Sequence, residues 1–230
     1  MSLTVGGIEK FTTVNYPGQL AAVLFCRGCP IRCPYCQNPS LQDFNGTDLI
    51  PWDICVEFLE SRKGLLDGIV FSGGEPLAQK DLKSAMEQVK AMGYLIGLHT
   101  SGTNAQRLAD ILPLTDWIGF DVKTAFDRYD RIPHANGKEA ETCLDMILAA
   151  GVPMEARTTL DPRVITAGEL LPLAETLSGK GVKTYAVQEY HDFPGQNGAP
   201  DKESRTAYFA DKDLLQKISG LFDNFIIRRS

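Results

Sequence analysis

No stretch of about 18 apolar residues occurs in this 230-residue chain, so a membrane-spanning helix is not expected. Excess positive charge is missing too. Lys+Arg number 23 against 29 Asp+Glu, a formal charge of −6, which disfavours a surface that tracks a nucleic-acid backbone. The start, "MSLTVGGIEKF", has neither the basic segment nor the apolar core of a secretory signal, so the chain is expected to be cytoplasmic with its thiols reduced. Repeats, long linkers and low-complexity tracts are absent. With 43% hydrophobic residues, the composition suits one α/β domain over 1–230 with an ample core.

Cysteine, by contrast, is concentrated. "FCRGCPIRCPYCQNPS" (25–40) holds four of the six. In a reducing compartment such crowding points to metal or catalysis and not to disulfides. Read as zinc knuckles, Cys26–Cys29 and Cys33–Cys36 are separated by only three residues, too few to wrap one tetrahedral ion. Cys29, Cys33 and Cys36, spaced C-x3-C-x2-C, fit three thiolates on one iron–sulfur cluster, leaving one iron without a protein ligand. Pro30 and Pro34 stiffen the loop and remove competing N–H groups. Cys26 reads as a small buried residue at a strand end. A zinc-stabilised interaction module is the non-enzymatic alternative.

Apolar runs alternate with helical patterns about every 30 residues, the signature of βα units. Strands are expected at 20–25, 68–72, 95–100, 117–123, 153–159 and 184–190. Helices are expected near 52–62, 80–92, 104–112, 138–150, 167–179 and 211–222, with "FIIRR" (225–229) as a terminal strand. Six units fall short of a closed eightfold barrel. The expected fold is α/β, a partial, open (β/α)6 TIM-like barrel, with a doubly wound sheet as the alternative. The Gly-, Pro- and polar-rich stretch over 191–207, beginning with "HDFPGQNGAPDKESRT" (191–206), reads as a mobile surface loop.

Chemically capable residues cluster at the strands' carboxyl ends, the face where parallel α/β folds bind ligands. The cysteine loop follows the first strand, "SGGEP" (72–76) the second and "HTSG" (99–102) the third; "DVK", "ART" and "EYH" lie at or near the last three ends. Period-two alternation puts Gly119, Asp121 and Lys123 on one side of their strand and Glu155 with Arg157 on one side of theirs. Each pair could be an internal ion pair or part of a binding site. Cys55 and Cys143 read as core, and His134 belongs to no motif.

The C-x3-C-x-aromatic-C pattern, with Tyr35 as the aromatic, resembles the signature of the radical S-adenosylmethionine superfamily. More narrowly, "YPGQLAAVLFCRGCPIRCPYCQNP" resembles the N-terminal region of glycyl-radical-enzyme activases, above all those of anaerobic (class III) ribonucleotide reductase, with pyruvate formate-lyase activases as second relatives. The resemblance implies that Cys29, Cys33 and Cys36 hold a [4Fe–4S] cluster whose fourth iron is chelated by S-adenosylmethionine. It places Tyr35, Gly73, Gly74, Glu75, Thr100, Asp121, Lys123, Arg157 and His191 at the ligand. Glu75 would serve the ammonium group, Arg157 the carboxylate, and His191 the neighbourhood of the ribose. Formate-lyase activases show Asp-Thr-Asn-Gly where this chain has His99-Thr100-Ser101-Gly102, so a cation site there is in doubt and His99 reads as a wall residue.

The activity so implied is reductive cleavage of S-adenosylmethionine to a 5′-deoxyadenosyl radical. That radical takes hydrogen from a glycine of a partner enzyme, with a flavodoxin- or ferredoxin-type electron donor. A radical S-adenosylmethionine enzyme acting on a small molecule, similar to the deazaguanine-forming synthases, is the enzymatic alternative.

Overall fold

The computed structural model describes residues 2–191 and 198–229. Eight strands form one sheet in strict chain order: β1 (Val5–Thr12), β2 (Ala21–Cys26), β3 (Gly68–Gly73), β4 (Leu95–Thr100), β5 (Trp117–Asp121), β6 (Met154–Leu160), β7 (Thr184–Glu189) and β8 (Asn224–Arg228). β1 runs antiparallel to β2, and every later pair is parallel. A doubly wound sheet reverses its strand order at a switch point. Here each strand lies beside its sequence neighbours, as in a barrel wall, and β1 and β8 are not paired to each other. The expected partial barrel is the observed architecture.

Alternation sorts the strand residues into two layers. Ile69, Phe71, Leu98, Phe120 and Val122 pack outward into the main core beneath the helices, whereas Val70 and Trp117 face inward. α1 (Trp52–Glu60), α2 (Leu82–Ala91), α3 (Ala105–Ile111), α4 (Gly137–Ala150), α5 (Ala167–Lys180), α6 (Lys202–Ala210) and α7 (Lys212–Ser219) supply the outer layer. Their starts follow local chemistry: the side chains of Asn104 and Asn136 accept from Arg107 N and Glu139 N. No described helix is long and apolar enough to cross a membrane.

Two elements differ from expectation. β1 answers to none of the expected strands; it is an irregular edge strand with register shifts, and a side chain at position 6 would run into Leu41. The expected loop over 191–207 is helical from Lys202, where α6 is capped by Asp201 and anchored by buried Tyr208. Residues 192–197 of that expectation lie outside the described ones.

At the start of α5, Glu169 accepts from Thr166 N at 2.8 Å and pairs with Arg131 at 2.8 and 2.9 Å, and with Arg128. Arg131, then the Thr166 amide, holds the Glu169 carboxyl down at about 2. A depressed folded-state value stabilises above the ordinary carboxylate range and is lost as pH falls toward about 2. Glu169→Gln is therefore expected to cost roughly 1–3 kcal/mol at neutral pH. The gap in melting temperature to the parent should narrow as the buffer is acidified, and a gap independent of pH would contradict this assignment.

Candidate active site

A cleft of about 460 Å³ opens at the carboxyl ends of the strands. Cys29, Cys33, Tyr35, Cys36, Gly73, Gly74, Glu75, Thr100, Asp121, Lys123 and Arg157 all line it. His191 does not: it is exposed, one residue past Tyr190.

The cysteine loop is held by main-chain bonds. Gly28 N donates to Leu41 O at 2.7 Å, Gly74 N to Cys26 O at 2.7 Å and Glu75 N to Gly28 O at 2.9 Å. Ile31, Tyr35, Ile132, Val164 and Tyr190 form a small apolar cluster against which Cys29 and Cys33 rest. Cys26 takes no part in the cleft. It is fully buried in the main core, and burial pushes its thiol well up. Burial and then the nearby Glu75 charge raise the Cys29 thiol to about 12. Cys33 is raised as well, against the pull of Lys123. Thiols so buried ionise when a metal claims them.

The glycines of "SGGEP" have a physical reason different from the one the motif suggests. Gly73 has φ +108°, and a Cβ there would sit 2.5 Å from Cys26 N. A Cβ on Gly74 would sit 2.5 Å from Gly28 O. Both glycines let β3 close onto the backbone of the cysteine loop. Glu75, 1% exposed, is saturated: Leu77 N (3.0 Å) and the Thr100 hydroxyl (2.6 Å) donate to Oε1, and Ser101 N (2.9 Å) and Oγ (2.7 Å) donate to Oε2. A carboxylate has about four acceptor positions, so an ammonium group reaches Glu75 only by displacing a hydroxyl.

On the opposite wall, buried Lys123 lies 3.4 Å from Asp121 and 5.7 Å from the Tyr35 ring. Burial alone would lower its pKa, but Cys33, Tyr35 and Asp121 outweigh that and hold it well above the ordinary value. Arg157 donates from Nε to Glu155 at 2.7 Å, and its guanidinium lies 5.1 Å over the Trp117 ring. Gly119 makes the room, since a Cβ there would fall 2.5 Å from Arg157 Cζ. The internal ion pair is thus present, and Arg157 also lines the cleft.

His99 Nε2 lies 2.9 Å from Asn15 O, an acceptor only, so Nε2 carries the proton and Nδ1 accepts from Ser72 Oγ at 3.3 Å. Burial, then Arg157, hold its pKa well below the ordinary value. His99 is a neutral wall residue with both nitrogens committed. Below it, the turn Tyr16-Pro17-Gly18-Gln19 closes with a 3.1 Å bond, and Tyr16 stacks on Trp117 at 5.5 Å. This floor was not legible from "YPG". Trp117 was accessible to parity reasoning, sharing the side of Gly119, Asp121 and Lys123. Ser101 lies inside "HTSG", but nothing local marks its bonds to Glu75.

Among the described residues no three His, Cys, Asp or Glu side chains converge on a point where a single ion could sit. A cubane cluster offers each thiolate a separate iron, so its ligands need not meet at one point. Three thiols on one cleft, with the fourth cysteine of the loop sealed in the core, fit such a cluster with one open iron.

Residues 23–188, well over half of the chain, match the model of the radical SAM superfamily. That family uses a [4Fe–4S] cluster and S-adenosylmethionine. A protein of Methanocaldococcus jannaschii that bears the name of a glycyl-radical enzyme activating enzyme is 28% identical over 99% of this chain and 97% of its own. The pyruvate formate-lyase-activating enzyme of Clostridium pasteurianum is 27% identical over 81% of this chain and 82% of its own. Among solved structures, Streptococcus suis SuiB bound to S-adenosylmethionine aligns over 88% of this chain with a TM-score of 0.67 at 10% identity, and this chain spans 48% of that longer one. A domain of pyruvate-formate lyase-activating enzyme from Bacteroides vulgatus aligns over 70% of this chain and 99% of that domain, with a TM-score of 0.55 at 16% identity. The chain belongs to the radical S-adenosylmethionine superfamily, among relatives that are glycyl-radical enzyme activating enzymes.

Proposed function

We propose that this activase serves anaerobic ribonucleotide reductase and receives its electron from a small flavodoxin- or ferredoxin-type protein. The observation that carries the site reading is the polarity of the cleft. Three thiols share it with an acidic wall at Glu75 and a basic wall at Lys123 and Arg157. An amino-acid ligand carries one charge of each sign and suits such walls. Arg157 takes the carboxylate with its fork, and Lys123 lies within the same cleft as a fixed positive charge. Glu75, pinned by Thr100 and Ser101, orients the turn that faces the ammonium group. Half-buried His99 and buried Trp117 limit water at the floor.

When bound, the reduced [4Fe–4S] cluster supplies the electron that breaks the S–C5′ bond of S-adenosylmethionine and so yields the radical that takes hydrogen from glycine. The choice of reductase as partner is supported by the run "YPGQLAAVLFCRGCPIRCPYCQNP". The test is anaerobic reconstitution, reduction, and mixing with S-adenosylmethionine and either ribonucleotide reductase or formate lyase. Electron paramagnetic resonance should show a glycine-centred doublet with the reductase. A doublet with formate lyase alone would reassign the partner. Turnover of S-adenosylmethionine coupled only to a small pterin would remove the activase reading.

A further inference from the structure

The mechanism leaves one partly buried charged group unused. Arg228, on the last strand, meets Glu155 of β6 fork to fork, Nη1 to Oε1 at 2.7 Å and Nη2 to Oε2 at 2.9 Å. Glu155 Oε1 also accepts from Arg157 Nε at 2.7 Å, and the Glu155 side chain is 3% exposed. Two guanidinium groups therefore share one carboxylate, which leaves one net positive charge in the barrel wall. Neighbouring His99 adds none, because both its nitrogens are committed as a neutral ring. The sharing is unequal: Arg228 spends its whole fork on Glu155, whereas Arg157 gives only Nε. Among the described residues, no acceptor engages the terminal nitrogens of Arg157.

Glu155 and Arg157 stand two apart on one face of a strand, close enough for a two-bond clasp if nothing else held the carboxylate. We infer that Arg228 is a positioning residue for the ligand's carboxylate: by occupying both oxygens of Glu155 it blocks that clasp and keeps the free end of Arg157 turned to the cleft. This rests on the proposed contact between Arg157 and the carboxylate of S-adenosylmethionine.

The test compares two ligands on the anaerobically reconstituted full chain by equilibrium dialysis. One is S-adenosylmethionine; the other is 5′-methylthioadenosine, which keeps the nucleoside and thioether but has no amino-acid group. Arg228→Met should weaken S-adenosylmethionine roughly ten- to a hundredfold, the range of one charge-assisted bond, and leave methylthioadenosine unchanged. Arg228→Lys, which keeps the charge but not the fork, should weaken it less and serves if the methionine variant does not fold. Adding Glu155→Gln to Arg228→Met removes the competing anion and should recover most of the lost affinity, whereas a second defect in a merely structural contact would deepen the loss. Equal effects on both ligands, no effect, or a double variant weaker than the single would overturn the inference. Arg157→Met separates the two levels. If it leaves the ratio of the two affinities unmoved, the carboxylate contact itself is wrong. If it shifts the ratio and Arg228→Met does not, only the role of Arg228 is wrong.

Discussion

Cys33→Ser is expected to strip the iron–sulfur centre and to cut S-adenosylmethionine cleavage by roughly a hundredfold or more, since losing even an outer-shell partner of a metal ligand costs 10–100-fold. Cys26→Ala is expected to keep both. The contrast follows from placement within one loop. Cys33 lines the cleft beside Lys123 and Asp121, while Cys26 is 0% exposed in the core between strands and helices. Its removal deletes one small apolar contact and should cost about 1–2 kcal/mol of stability. Iron and sulfide per chain, the spectrum of the reduced cluster, and a thermal melt read the two effects separately. A Cys26→Ala protein that melts normally but has lost its cluster would make Cys26 the fourth ligand, and a cluster closed on all sides by protein could not take S-adenosylmethionine.

Gly74→Ala should be among the most damaging single-methyl additions in the chain. The new carbon would lie 2.5 Å from Gly28 O and 2.9 Å from Leu41 O, both main-chain atoms that cannot rotate away. Relief requires parting β3 from the cysteine loop, which breaks the 2.7 Å bond from Gly74 N to Cys26 O and the 2.9 Å bond from Glu75 N to Gly28 O. A loss of about 3 kcal/mol or more is expected, or roughly 6–12 °C in melting temperature for a chain of this length. Gly168→Ala is the control: it lies in α5 with nothing within 4 Å of the added carbon, so it should be neutral or slightly stabilising. Iron loading should fall in the first variant and hold in the second. Loading and melting temperature unchanged in Gly74→Ala would mean the loop is not clamped as described.

How much could be read beforehand depended on the range of the signal. Strand alternation is local, so "GFDVK" disclosed that Asp121 and Lys123 face one way and Phe120 and Val122 the other, and the barrel wall followed. The three cleft cysteines were legible because their spacing is itself a coordination pattern. β1 was not, because Gly6-Gly7 imitates a turn while serving a close approach to the loop after β2. α6 was hidden by the polar run before Tyr208, the residue that anchors it. Glu75 was recognised, but its four donors come from two separate stretches, Leu77 and Thr100-Ser101, which no local pattern joins. Arg228 was read only as part of a terminal strand; its partner Glu155 lies 73 residues away, beyond any local pattern.

The stacked pair Tyr16–Trp117, with the Tyr16 ring set against Gly68 and Gly97, makes the barrel a cul-de-sac. A polypeptide cannot be threaded along its axis from rim to base. In the proposed activase a segment entering from the rim would have to turn back or leave by the open flank between β1 and β8, which puts the atom to be attacked near a bend. Glycine, free of a side chain and at ease in sharp reversals, is the residue such a blind end admits most readily.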